Sequence, residues 1–119
     1  MTVGEMAFLL GLEVRAGHGG LGREVVAGYA ADLLSDVMAH APHGSLWLTL
    51  QTHENVVAVA LLVDAAGIVI TGGRRPEEAT CRRADKEGIP LFVTAEDTFT
   101  LAGKVYALLC SRENKCGGS

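Results

Sequence analysis

The sequence predicts an α/β protein of three layers, α/β/α, with helices on both faces of a mainly parallel sheet of four to five strands. Three observations carry this. Between Gly67 and Phe99 one construction occurs twice: a short apolar strand (Ile68–Ile70, then Leu91–Val93), a threonine at its end (Thr71, Thr94) and a polar helix start. Apolar residues make up 49% of the chain and aromatic ones only 5%, so the core must be aliphatic, as in a buried parallel sheet under alanine-rich helices. From Leu46 onward strands and helices alternate with short connections, and such units wind right-handed into a single sheet.

Thr2-Val3-Gly4-Glu5 reads as a capping box opening a helix, with Met6, Leu9 and Leu10 as its apolar stripe and Gly11 as its stop. Leu12–Ala16 alternates and reads as the first strand. The glycine-rich turn Gly17–Gly22 follows, and Val25–Tyr29 is open between a short strand and the beginning of a helix. Asp32–Ala41 reads as a helix with Leu33, Leu34, Val37 and Met38 inward, ended by Pro42 and Gly44. Leu46–Leu50 is a strand, Val56–Ala65 a buried helix stopped by Gly67, and Ile68–Ile70 the next strand. Pro76–Gly88 is an amphipathic helix with proline in its first turn. Strand Leu91–Val93 leads to Thr94 as N-cap with Asp97 at N3, and Phe99–Leu109 closes the fold.

The 119 residues form one domain, assigned to 1–110, with a flexible polar tail at 111–119. A net charge of −4 argues against a nucleic-acid partner bound through a broad basic face. The pairs Arg74-Arg75 and Arg82-Arg83 sit among acids and read as a solvated helix face before an anion site. The longest apolar run, Val56–Val63, is too short to span a bilayer, and Met1–Leu10 carries Glu5 and no base, unlike a signal peptide; a cytoplasmic protein is expected. Cys81, Cys110 and Cys116 are odd in number and widely spaced, which fits reduced thiols and no metal site, with Cys116 in a mobile tail.

Gly17-His18-Gly19-Gly20-Leu21-Gly22 matches G-x-G-x-x-G after a strand, but the acid about 20 residues on, Asp36, falls inside a helix rather than at a second strand's end. A flexible loop is the better reading. No P-loop motif occurs, and no cofactor is implied. His40 and His43 sit at a helix end, where the dipole favours a cation. His53 is open between helix-start packing and a ligand contact. Asp32, Ser35 and Asp36 have the spacing of one helix face, for which solvation or capping is preferred over a carboxylate pair. What remains is the crevice at the strand C-termini: Thr52 and His53, Thr71, Gly72, Gly73 and Arg74, then Thr94, Ala95, Glu96, Asp97 and Thr98. Free amides at helix starts, hydroxyls and an arginine there suit a small anion, although threonines cap helices in any α/β protein.

The stretches GREVVAGYAADLLSDVMAHA, LWLTLQTHENVVAVA, GIVITGGRRPEEA and EGIPLFVTAEDTFTLAGKVYAL resemble the DRTGG domain, over roughly Leu12 to Leu109. Thr71-Gly72-Gly73 keeps the family's signature, while Arg23 is preceded by Gly22 rather than an aspartate. Similar domains stand beside CBS pairs in regulated pyrophosphatases and within some phosphotransacetylases, and are related to the N-terminal domain of HPr kinase/phosphorylase. The kinase chemistry of that last family lies in a P-loop domain, so the resemblance implies no enzyme. It implies a three-layer fold, frequent self-association and a regulatory role, with a redox- or hydrogenase-associated protein as partner. The expectation is a non-catalytic regulatory or interaction module forming a homodimer, and the alternative is a sensor of a nucleotide or phosphorylated metabolite at the strand-end crevice. Val25, Val26, Tyr29, Leu33 and Trp47 are the residues assigned to self-association, with burial in the monomer core as the competing account.

Overall fold

The structure, a computed structural model, describes residues 1–113. Five strands, β1 (Glu13–Ala16), β2 (Ala27–Ala30), β3 (Ser45–Thr49), β4 (Gly67–Ile70) and β5 (Leu91–Val93), form one sheet in the order β1-β5-β4-β3-β2. The last four are parallel to one another, with Trp47 opposite Ile68 and Val69 opposite Phe92. Only β1 runs antiparallel, against β5, which sets Glu13 opposite Val93.

Strand alternation divides the core into two. Trp47, Ile68, Ile70 and Leu91 face α2 (Leu34–His40), α3 (Asn55–Leu62) and α4 (Glu78–Glu87), meeting Val37, Val56, Val59, Ala60 and Ala84. Leu46, Leu48, Val69 and Phe92 face α1 (Val3–Leu10) and α5 (Thr98–Glu113), meeting Val3, Met6, Leu101 and Val105. The three-layer α/β/α expectation holds, and β3, β4 and β5 are buried on both faces as a central parallel sheet requires.

Several boundaries differ for identifiable reasons. The Thr2–Glu5 capping box and the left-handed Gly11 stop of α1 are present, but Leu9 is exposed, so the inward stripe is Val3, Met6 and Ala7. The ambiguous Val25–Tyr29 segment resolves into β2, an edge strand. Helix α2 starts at Leu34, because the Asp32 carboxylate is turned to the end of β3, accepting from the Thr49 hydroxyl at 3.0 Å and the Leu50 amide at 2.7 Å. Leu33 and Met38 are consequently exposed rather than inward, and Val37 alone of the four is fully buried. In α4 the N-cap is Glu77, so Pro76 lies before the first turn. Asp97, not Thr94, caps α5: its carboxylate accepts the Thr100 amide at 2.8 Å and the Thr100 hydroxyl at 3.0 Å. That helix runs on through Glu113, past the expected end at Leu109; Cys116 and the rest of the polar tail lie outside the described residues.

The glycine-rich turn is a packed junction. Gly17 donates its amide to Asp85 Oδ1 at 2.7 Å, and Gly20 lies against the Gly88 carbonyl and the Pro90 ring. Gly17 has φ +73°, and a side chain there would run into the Ile89 carbonyl.

Candidate functional site

Parallel strands end on one edge, where connections to the following helices gather. The antiparallel β1 brings its beginning to that same edge beside β5. At this edge lies a cleft of about 520 Å³, a volume within the range of small-molecule sites. Its polar lining is Glu13, Arg15, Arg74, Arg75, Glu96 and Lys104, around Gly73 and Thr94.

The threonines and glycines predicted for this site are present at the edge, but most of their hydrogen-bonding capacity is spent on one another. Gly72 and Gly73, both at φ +74°, turn their amides towards the next loop, Gly72 to the Glu96 carbonyl at 2.8 Å and Gly73 to the Thr94 carbonyl at 2.9 Å. The buried Thr71 hydroxyl meets that of Thr98 at 2.6 Å. Thr94 Oγ1 accepts the Glu96 amide, and Asp97 is engaged at the start of α5. The free amides expected in Gly72-Gly73 are therefore not free: Thr71-Gly72-Gly73 latches the β4–α4 connection to the β5–α5 connection.

Thr52 and His53 belong to a different place. The Thr52 carbonyl takes the Glu77 amide at 3.2 Å and the Thr80 hydroxyl at 2.7 Å, which ties α4 to the β3–α3 connection. His53 Nδ1 accepts the Asn55 amide at 3.0 Å at the start of α3, and neither residue lines the cleft. Arg74 does line it. Arg74 and Arg75 precede α4 instead of lying on it, so the solvated-helix-face reading holds for Arg82, which pairs with Glu78 one turn away, and fails for these two.

Three polar residues of the cleft escaped the sequence reading: Glu13, Arg15 and Lys104. The i,i+2 spacing of Glu13 and Arg15 put them on one face of β1, but nothing local said that this strand would lie against the last one. Arg15 Nε lies 2.8 Å from Glu13 Oε2, yet that buried nitrogen has no hydrogen-bond acceptor among the described residues, because the carboxylate sits out of line. Lys104 Nζ meets Glu96 Oε2 at 2.5 Å. Arg74 and Arg75 are exposed and take part in no ion pair among the described residues.

The residues assigned to self-association separate into two groups. Trp47 and Val25 are in the core, Trp47 wholly buried with its indole N–H donated to the Ala31 carbonyl at 2.8 Å, so the burial account applies to them. Val26 and Leu33 are exposed, and Tyr29 is half-buried. Tyr29 donates its hydroxyl to Asp36 Oδ2 at 2.6 Å, a bond that raises the phenol's pKa above its ordinary value. With Asp32 turned to Thr49 and Asp36 to Tyr29, no carboxylate pair forms. His40 lies 3.2 Å from Asp36 and His43 3.0 Å from Asp64. The Cys81 thiol is pushed up chiefly by burial, which disfavours the thiolate a nucleophile needs. No helix among the described residues is long and apolar enough to cross a membrane.

No curated protein matches the chain. In fold it is similar to the crystal structure of the CBS and DRTGG domains of the regulatory region of Clostridium perfringens pyrophosphatase complexed with activator, diadenosine tetraphosphate. The TM-score is 0.66 at 16% identity, over 86% of this chain and 44% of that one, so the chain spans less than half the length of that structure. Residues 12–108 match the DRTGG domain, a span that takes in every strand and both sides of the cleft, and the chain belongs to that family.

Proposed function

We propose that this chain is a non-catalytic regulatory module that senses a phosphorylated small molecule at the strand-end cleft. The single observation that carries the reading is the pair Arg74 and Arg75, held at the cleft by the Thr71-Gly72-Gly73 latch with no carboxylate partner among the described residues. Guanidinium groups suit phosphate, since their planar forks present paired donors to its oxygens. Arg15 and Lys104 add positive charge to the same walls. The pyrophosphatase regulatory region similar in fold was crystallised with a nucleotide activator, which accords with this ligand chemistry. Thr71, Gly72, Gly73, Thr94, Asp97 and Thr98 act as the frame, and Arg74 and Arg75 as the contact. The test is a ligand-dependent rise in melting temperature with ADP. A shift that disappears in Arg74→Ala/Arg75→Ala supports the reading, and an unchanged shift in that variant removes it.

A second reading, self-association, is favoured by the opposite edge of the sheet. Strand β2 pairs with β3 alone, and beside it an apolar groove of about 170 Å³ runs between Tyr29, Leu48, Val105 and Tyr106. The unpaired backbone groups of an edge strand can template pairing with another chain. Sedimentation equilibrium at tens of micromolar tests it, and a monomer there ends it. We extend the proposal to a cytoplasmic setting and a redox- or hydrogenase-associated partner, on the family resemblance.

A further inference from the structure

We infer that Glu13 and Glu96 are resident counter-anions of the cleft, displaced when a ligand carrying two phosphate groups enters. This rests on the sensing function proposed above and specifies how the cations of the same site are balanced. The cleft holds four cations, and they are of two kinds. Arg15 and Lys104 are each matched by a carboxylate, from Glu13 and Glu96 respectively, whereas Arg74 and Arg75 are unmatched among the described residues.

The two matched pairs are built to exchange. The Glu13 side chain is 63% exposed, and exposed ion pairs contribute little to stability, so separating one costs little. The Arg15 pair is also incomplete. Glu13 lies 2.8 Å from Nε but leaves that buried N–H without an acceptor, so the carboxylate supplies charge without a hydrogen bond. A phosphate oxygen that takes the place of the carboxylate can supply both, because Arg15 itself lines the cleft. The Lys104 pair ties α5 to the loop whose main-chain carbonyls at Thr94 and Glu96 hold Gly73 and Gly72. Releasing the Glu96 side chain thus acts on the segment that positions Arg74. One phosphate group is taken by the unmatched arginines, and a second replaces a resident carboxylate, which makes a diphosphate the better fit than a single phosphate.

Calorimetry on the full chain tests this, with inorganic pyrophosphate as probe and inorganic phosphate as the single-group comparison. Pyrophosphate is expected to bind more tightly than phosphate. Glu13→Gln and Glu96→Gln, on exposed or half-buried side chains that keep their volume, are each expected to tighten pyrophosphate binding roughly two- to fivefold, the factor by which loss of an exposed ion pair is worth. Glu87→Gln, which removes an acid outside the cleft, is expected to change nothing. If the wild type binds pyrophosphate but the two cleft variants bind it no better, or if Glu87→Gln tightens it equally, the displacement is wrong while sensing stands. Equal affinity for phosphate and pyrophosphate likewise overturns the two-group fit alone. Absence of heat for both probes in the wild type and in every variant overturns displacement and sensing together. Equal melting temperatures for all variants establish that each comparison is made on folded protein.

Discussion

The hydroxyls of Thr71 and Thr98 meet at 2.6 Å, joining the end of β4 to the first residue of α5. Thr71 is fully buried and its amide also bonds the Thr49 carbonyl, so one residue ties the ends of β3 and β4 to the start of α5. Thr71→Val keeps the volume and removes the hydroxyl. The expected cost is about 1 kcal/mol, the net worth of one such hydrogen bond. Urea unfolding should report it as a lower midpoint with an unchanged slope.

Asp97 gives a pH-dependent prediction. Its bonds to the Thr100 amide and then the Thr100 hydroxyl hold the carboxyl below the ordinary value of 3.8. A depressed carboxylate contributes stability in full above the unfolded group's pKa and loses it as pH falls through the folded one. Asp97→Ala should therefore lower the melting temperature at pH 7, with the gap to wild type narrowing below pH 3.8. A gap that stays constant across that range would count against the cap.

The glycine-rich turn predicts two opposite outcomes for the same substitution. Gly17→Ala combines a left-handed backbone with a clash against the Ile89 carbonyl, and should cost about 3 kcal/mol or more. Gly19→Ala meets nothing within 4 Å and has no positive φ, so it should be close to neutral. A Gly17→Ala cost no larger than that of the left-handed backbone alone, about 1–2 kcal/mol, would remove the packing role.

Trp47→Phe tests the core assignment. It leaves the Ala31 carbonyl without its donor and a gap among buried aliphatic neighbours, at an expected cost of about 2–4 kcal/mol. A change in oligomeric state with unchanged stability would instead return Trp47 to a surface.

Binding at the cleft should weaken with salt, because the contact proposed is between exposed guanidinium groups and phosphate. Raising ionic strength from low to physiological values should reduce ADP affinity in the wild type more than in Arg74→Ala. Calorimetry at two salt concentrations is sufficient to see the difference.

Much of this architecture is legible locally. The strand of Leu91–Val93 is found residue for residue, and the Thr2–Glu5 cap follows from spacing alone. The cleft is less legible, because its walls are joined by long-range contacts. Local pattern makes Glu13 and Arg15 neighbours on a strand, but only the pairing of β1 with β5 puts them opposite Arg74. The same limit explains the amides of Gly72 and Gly73, which look free until the Thr94–Glu96 carbonyls are placed beside them. Asp32 is a third case: a helix-compatible residue is drawn out of α2 by a strand end lying well along the chain.

The antiparallel strand also orders events during synthesis. Parallel strands β2, β3 and β4 find their partners in sequence as each βα unit is made, but β1 has no sheet neighbour except β5. Its partner emerges about 80 positions after it, so β1 must wait unpaired while most of the chain is built, and its closure carries the largest loop entropy in the sheet. The cleft wall bearing Glu13 and Arg15 thus forms only once β5 has been made, and a chain interrupted before Val93 would have a sheet but no site.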